Sequence, residues 1–136
     1  MSDSLWEELV AFLKLSQAFQ QRKMIPDRDR AFVLAGCCAA LCNFSSISAY
    51  CRSQILQNNR GHMVSKWPDL KTAMENTAFQ VFLKQLARRL PLERVEAQLL
   101  ELGYCNSLTL AEFPSEEEFL ARLLDLDPTW LEDNFS

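Results

Sequence analysis

The chain has five cysteines, Cys37, Cys38, Cys42, Cys51 and Cys105. A structural zinc site takes about four cysteine or histidine ligands, often in closely spaced pairs. Cys38 and Cys42 stand one helical turn apart and would share a helix face, whereas Cys37 would point about 100° away from Cys38. The only histidine is His62. Cys38, Cys42 and His62 are therefore the weak candidates for a metal site.

The surroundings of these thiols favour packing over metal or redox chemistry. The first three cysteines lie in AGCCAALCNF, among alanine and leucine, and no Cys-x-x-Cys pair occurs. Reactive thiols need a helix N-terminus or a cationic neighbour to form the thiolate, and a buried free cysteine behaves as a small hydrophobic residue. We therefore expect the cysteines to pack in a core, and we predict no cofactor.

Catalytic motifs give little support for an enzyme. There is no glycine-rich phosphate loop, no Gly-x-Ser-x-Gly elbow and no His-Glu-x-x-His motif. The acidic residues cluster at predicted helix starts, where the helix dipole explains them without catalysis. We predict no catalytic residue and favour a non-enzymatic protein, with a small helical metal-binding protein or enzyme as an alternative.

The segment NNRGHMVSKW holds Arg60, His62, Lys66 and Trp67. One interpretation gives these four residues a shared surface for an anionic or peptide partner. The favoured interpretation is structural. Arg60 and His62 would interact with the last carbonyls of the preceding helix, and Trp67 would fill the core.

A basic cluster at Arg88, Arg89 and Arg94 lies where the predicted fourth and fifth helices meet. Such a helical hairpin would suit phosphate contacts, so a nucleic-acid-associated protein is a second alternative. The net charge of −4 and the isoelectric point near 5.0 oppose it, because a nucleic-acid-binding domain is expected to be strongly basic. We do not expect a nucleic-acid partner.

Composition and periodicity predict the elements that carry these residues. With only 3 Gly and 5 Pro, with apolar residues at helical spacing and with no alternating run typical of a strand, the chain is predicted to be all-α. We expect one domain over residues 1–136, a compact bundle of six to seven helices. The predicted helices cover about 4–23, 29–43, 45–58, 68–90, 91–103, 115–124 and 128–131.

The predicted second helix, about 29–43, forms the centre of the bundle. Residues 31–51 carry no charge, but the purely apolar part from Ala31 to Cys42 is only 12 residues long. A membrane span needs about 20, so we expect a buried helix of small residues and no membrane contact. Whether Asn43 to Ser48 breaks this helix or only bends it stays open. The odd cysteine count and an acidic start without a signal peptide predict a reduced, cytoplasmic protein.

Charge divides the chain unevenly. Residues 1–103 hold 13 Lys and Arg against 10 Asp and Glu, whereas residues 104–136 hold 1 against 8. This acidic section also contains Trp130 and Phe135, which would form a docking element if exposed or close the core if buried. The contrast in charge and the terminal aromatic residues favour a protein-interaction or self-associating module, with a protein partner or a second copy as its ligand.

Overall fold

The computed structural model describes residues 3–135, and every regular element in that range is a helix. The all-α prediction is confirmed, while residues 1, 2 and 136 of the predicted domain lie outside the described part. Two short 3₁₀ turns, Met63–Lys66 and Leu110–Glu112, join the α-helices. The α-helices are α1 (Asp3–Gln21), α2 (Ile25–Leu41), α3 (Ser45–Asn58), α4 (Leu70–Ala73), α5 (Thr77–Arg89), α6 (Leu92–Glu101), α7 (Glu116–Leu123) and α8 (Pro128–Phe135).

The core is built around α2, which lies between α1 and α3 and makes its most extensive contacts with them. Every residue from Ala31 to Ala39 is buried, as the uncharged run of small residues predicts. The α5 helix packs on α2, and α6 packs on α1. The α7 and α8 helices pack on each other and on α1 and α3, so the acidic C-terminal section lies against the body.

Four helices end in the same way, with one residue in the left-handed conformation. These residues are Lys23, Asn43, Gly103 and Asp125, with φ between 58° and 68°. In each case the next residue donates its N–H to a carbonyl five positions earlier, at 2.8 to 3.0 Å, which is the Schellman arrangement. The central helix therefore ends before Asn43, and α3 begins as a separate helix at Ser45. The segment from Asn43 to Ser48 breaks the predicted helix and does not only bend it.

The helix predicted over 68–90 is two helices. Asn76 lies between α4 and α5, and its Oδ1 accepts hydrogen bonds from the N–H groups of Ala78 and Phe79 at 2.9 and 3.2 Å. A side chain that caps the first turn in this way begins a new helix. The split explains why the described residues contain eight α-helices where the sequence predicts six to seven.

None of the helices between residues 3 and 135 is both long enough and apolar enough to cross a bilayer.

Candidate functional site

The cysteines lie mainly in the core. Cys37, Cys38, Cys42 and Cys51 are buried, and Cys105 is exposed. Burial raises the pKa of the Cys37 and Cys38 thiols to about 12, with Glu8 adding to the effect at Cys38. Such thiols stay protonated and unreactive at neutral pH. Among residues 3–135, no three His, Cys, Asp or Glu side chains are arranged to hold a metal ion.

His62 is half-buried at the start of the first 3₁₀ turn. Its Nδ1 accepts a hydrogen bond from the Val64 N–H at 3.2 Å, so the proton of the neutral ring lies on Nε2. Burial lowers the pKa of His62, and the charge of Asp29 opposes this shift only partly. The side chain thus caps the turn that follows, while the backbone N–H of His62 donates to the carbonyl of Asn59, the C-cap residue of α3, at 3.1 Å.

The rest of the NNRGHMVSKW segment divides between core and solvent. Arg60 and Lys66 are exposed, and Trp67 is half-buried. The Trp67 ring packs on Phe79 at 5.5 Å between centroids, Phe79 packs on Phe82 at 5.9 Å, and Phe82 meets His62 at 6.1 Å. The aromatic members thus form a packed row, and Arg60 and Lys66 are the exposed members of the four candidate residues.

A buried polar cluster joins α1, α2 and α3. The Arg28 guanidinium lies 3.0 Å from Asp29 Oδ1 and also donates to Gln20 Oε1 at 3.2 Å. Asp29 Oδ2 accepts from Asn58 Nδ2 at 2.8 Å. Arg28 also lies over the Phe32 ring, 5.3 Å from its centroid. Both charges are buried and are satisfied by neighbours from three helices, so this cluster links α1, α2 and α3.

An apolar groove of about 390 Å³ runs between α1 and α6. Most of its lining residues are apolar, and the charged ones are Glu7, Lys14 and Glu96. The lining residues are Trp6, Glu7, Val10, Ala11, Lys14, Leu92, Glu96, Leu99, Leu110 and Phe119. On α6 the lining residues are four and three positions apart, and on α1 they are the neighbouring pairs Trp6-Glu7 and Val10-Ala11 followed by Lys14, so each helix presents one continuous face.

Leu100 of α6 is 82% exposed, the most exposed large apolar side chain of the described residues, and it does not itself line the groove. It follows Glu96 by four positions and so extends the same side of α6. Leu110, on the second 3₁₀ turn, is 37% exposed at the groove wall. A groove bordered by projecting leucines is typical of a surface that another protein covers.

The basic cluster is divided by the fold. Arg89 and Arg94 line a small cavity of about 160 Å³ together with Arg30 of α2. Arg88 is exposed on α5 and does not line this cavity. Of the three arginines in the predicted cluster, the fold therefore places two, Arg89 and Arg94, at the same cavity. The sequence prediction misses Arg30, because the pairing of α2 with α5 joins residues about 60 positions apart.

For Trp130 and Phe135 the sequence left two alternatives open, an exposed docking element or closure of the core, and the last helix shows features of both. Leu131, between them, is only 3% exposed and closes the core, while Trp130 is 45% exposed. Trp130 packs edge-on against Phe135 at 5.7 Å and against Tyr50 of α3 at 6.5 Å. The contact with Tyr50 fastens α8 to α3, and the indole remains partly exposed to solvent.

Comparisons with family models, with curated protein sequences and with solved structures find no match to this chain.

Sequence reasoning missed Leu100, whose side chain is the most exposed of the large apolar side chains among the described residues. The inward stripe predicted for this helix is Leu92, Val95, Leu99 and Leu102. Leu100 follows Leu99 directly, about 100° around the helix from it. A leucine outside the buried stripe of this helix was the signal in the sequence that could have indicated an exposed apolar side chain.

Proposed function

We propose that this chain is a non-catalytic, self-associating helical module, and that two copies meet through the groove between α1 and α6. The observation that carries the proposal is Leu100, exposed by 82% on α6, one helical turn after Glu96, which lines the apolar groove. In a two-fold dimer the same surface serves both copies. Leu100 of one copy enters the groove of the other, and the reverse contact forms at the same time.

The edge charges support a second copy as the occupant. Glu7 and Lys14 both line the groove on α1, seven residues and about two helical turns apart. Because their charges are opposite, a two-fold axis that runs α1 against its copy in the antiparallel direction places Lys14 opposite the partner's Glu7. The groove edge is therefore complementary to itself, which favours the correct pairing and opposes a parallel one.

The expected association is modest in strength. Burying one leucine side chain contributes about 1.5–3 kcal/mol, and the dimer buries Leu100 twice. The lost translational and rotational freedom costs about 4–15 kcal/mol, so the groove walls must supply the remainder. We expect a dissociation constant on the order of micromolar and a population of dimers that depends on protein concentration.

Sedimentation velocity over a range of concentrations tests the proposal, with Leu100→Glu as the disruptive variant. The expected result is a concentration-dependent dimer for the unmodified chain and a monomer for Leu100→Glu. Leu41→Glu is the matched control, because Leu41 is also exposed, by 59%, and lies at the end of α2, not on α1 or α6, the helices that form the groove. If Leu41→Glu disrupts association as strongly as Leu100→Glu does, the interface lies elsewhere.

Charge reversal separates a second copy from a different protein as the occupant. Glu7→Lys and Lys14→Glu each place like charges opposite each other in the two-fold arrangement and should weaken the dimer. The double variant restores opposite charges and should recover most of the association. A chain that stays monomeric at every soluble concentration contradicts self-association, and failure of the double variant to recover contradicts the antiparallel arrangement.

A further inference from the structure

We propose a second, separate binding site for this chain, a pocket for a phosphate monoester formed by Arg30, Arg89 and Arg94. The three arginines come from α2, α5 and α6 and line one cavity of about 160 Å³. Its apolar wall includes Phe19 and Leu86, which are both buried. Three guanidinium groups around a small concave space form an anion site, because each presents a planar set of donors suited to phosphate oxygens.

The size of the cavity limits the ligand. Pockets for drug-sized molecules run from about 300 to 1,000 Å³, and this one is about 160 Å³. It accommodates a single oxyanion with a short attached group and leaves no room for a whole nucleotide. The ligand class is therefore a small phosphate monoester or a phosphorylated side chain, with the phosphate inside the pocket.

The charge of the lining favours a dianion. Asp27 also lines the cavity and lies 3.0 Å from Arg30, so three positive charges and one negative charge leave a balance of +2. Arg89 and Arg94 have no hydrogen-bonded or ion-paired partner among residues 3–135, and both are free to bind. A phosphate monoester carries about −1.5 to −2 at pH 7, which matches this balance better than a carboxylate does.

Gln98 gives the second, independent indication. Gln98 lines the same cavity, and its Oε1 is buried and has no hydrogen-bond partner. A buried polar atom without a partner is uncommon and costs stability unless something satisfies it. Oε1 accepts and does not donate, so a ligand that pairs with it once the Gln98 side chain turns toward the cavity has to bring a donor near its phosphate, such as an N–H or O–H group. A free amino acid phosphate has this arrangement, and inorganic phosphate has only its own protons.

Nucleic acid fits these observations less well. A phosphodiester carries one charge per phosphate and would enter the pocket with bulky groups on both sides. The overall charge of −4 also opposes an extended polyanion. A phosphate with only one substituent enters from one side, which the three surrounding helices permit.

Calorimetric titration of the full chain with O-phospho-L-serine and with inorganic phosphate tests the site. Saturable binding of both is expected, with O-phospho-L-serine the tighter ligand because it brings a donor for Gln98. Arg94→Gln should weaken both at least tenfold. Gln98→Leu should weaken O-phospho-L-serine about fivefold and leave inorganic phosphate within twofold.

Arg88→Gln is the matched control, because Arg88 is exposed on α5 beside Arg89 and does not line the cavity. It should leave both affinities within twofold. An equal loss in Arg88→Gln and Arg94→Gln would mean diffuse charge attraction and would overturn the site, as would the absence of saturable binding. Tighter binding of an oligonucleotide without a terminal phosphate would also overturn it in favour of nucleic acid. Leu100→Glu should keep both affinities, since the pocket and the groove are lined by different residues.

Discussion

Gly36 of α2 lies so close to Leu70 of α4 that a Cβ atom at position 36 would overlap Leu70 Cδ1. The same Cβ would stand 3.1 Å from the Cβ of Cys51 in α3. Because glycine has no side chain, α3 and α4 both approach α2 at this point. The small residues of the central helix thus decide how closely the bundle packs.

We expect Gly36→Ala to destabilise the protein by about 1 kcal/mol. Overpacking a core costs about 1–3 kcal/mol, and the better helix propensity of alanine returns up to about 1 kcal/mol. Urea unfolding followed by circular dichroism measures the difference. Gly61→Ala is the control, because a Cβ there meets only Asn59 Oδ1 at 3.6 Å, and it should change stability little. Equal stability of Gly36→Ala and the unmodified chain would contradict the close packing.

The helices were predictable because their signals are local. The uncharged run of small residues that forms α2, and Gly103 at the end of α6, are features of a few neighbouring residues. The sequence did not predict the break at Asn76. An asparagine among apolar residues at helical spacing can either cap a new helix or face water within a continuous one, and the local sequence is the same in both cases.

The groove and the arginine pocket were not predictable in the same way. Both depend on which helices become neighbours. Arg22 Nη2, for example, donates to the Leu102 carbonyl at 2.9 Å across 80 positions, tying the region after α1 to the end of α6. No local pattern contains that pairing. The sequence therefore identified Arg89 and Arg94 as a charged cluster without Arg30 or Gln98.

Asp29→Ala should destabilise the fold by about 3 kcal/mol. The substitution leaves the buried Arg28 guanidinium without its carboxylate and Asn58 without its acceptor, and breaking a buried ion pair on one side costs about 3–5 kcal/mol. Asp27→Ala is the matched control on the same helix, because its pair with Arg30 is largely exposed and contributes at most about 1 kcal/mol. Denaturant midpoints compare the two. Similar losses for both variants would mean that burial of the Arg28 cluster adds nothing.

Lys23→Gly should stabilise the protein by about 0.5–1 kcal/mol. Lys23 is exposed and has a φ of 58°, a left-handed conformation that costs a side-chain-bearing residue about 1–2 kcal/mol and costs glycine much less. Part of that gain is lost to the greater flexibility of glycine in the unfolded chain. Lys23→Ala removes the same side chain and keeps the strained conformation, so it should give no such gain. A melting temperature raised equally by both variants would assign the effect to the lost charge.

One thiol per folded chain should react rapidly with a thiol-specific colorimetric reagent at neutral pH. Cys105 is exposed, whereas the other four cysteines are buried, and reaction requires an accessible thiolate. All five should react in denaturant. Cys105→Ser should abolish the fast phase. Rapid reaction of two or more thiols in the folded Cys105→Ser variant would show that the core around α2 opens easily.

Stability should fall as the pH rises above about 9, because the buried thiols hold their protons only in the folded chain. The pKa of Cys37 and of Cys38 lies near 9.0 when the thiol is exposed and is raised by burial to about 12 in the fold. Above pH 9 the unfolded chain therefore binds fewer protons than the folded chain, and the free energy of unfolding decreases with pH. At pH 10 the free energy of unfolding is lower than at neutral pH by about 1.4 kcal/mol for each such thiol.

The variant Cys37→Ala isolates this effect. Its absolute stability is lower because a buried side chain is shortened, but the decrease between about pH 8 and pH 10 should be smaller than in the unmodified chain by the share of one thiol. Cys105→Ala, at the exposed position, should keep the full decrease. Urea unfolding at a series of pH values measures the three slopes. If Cys37→Ala loses stability with pH as steeply as Cys105→Ala does, Cys37 ionises in the folded protein, and its burial does not hold the proton.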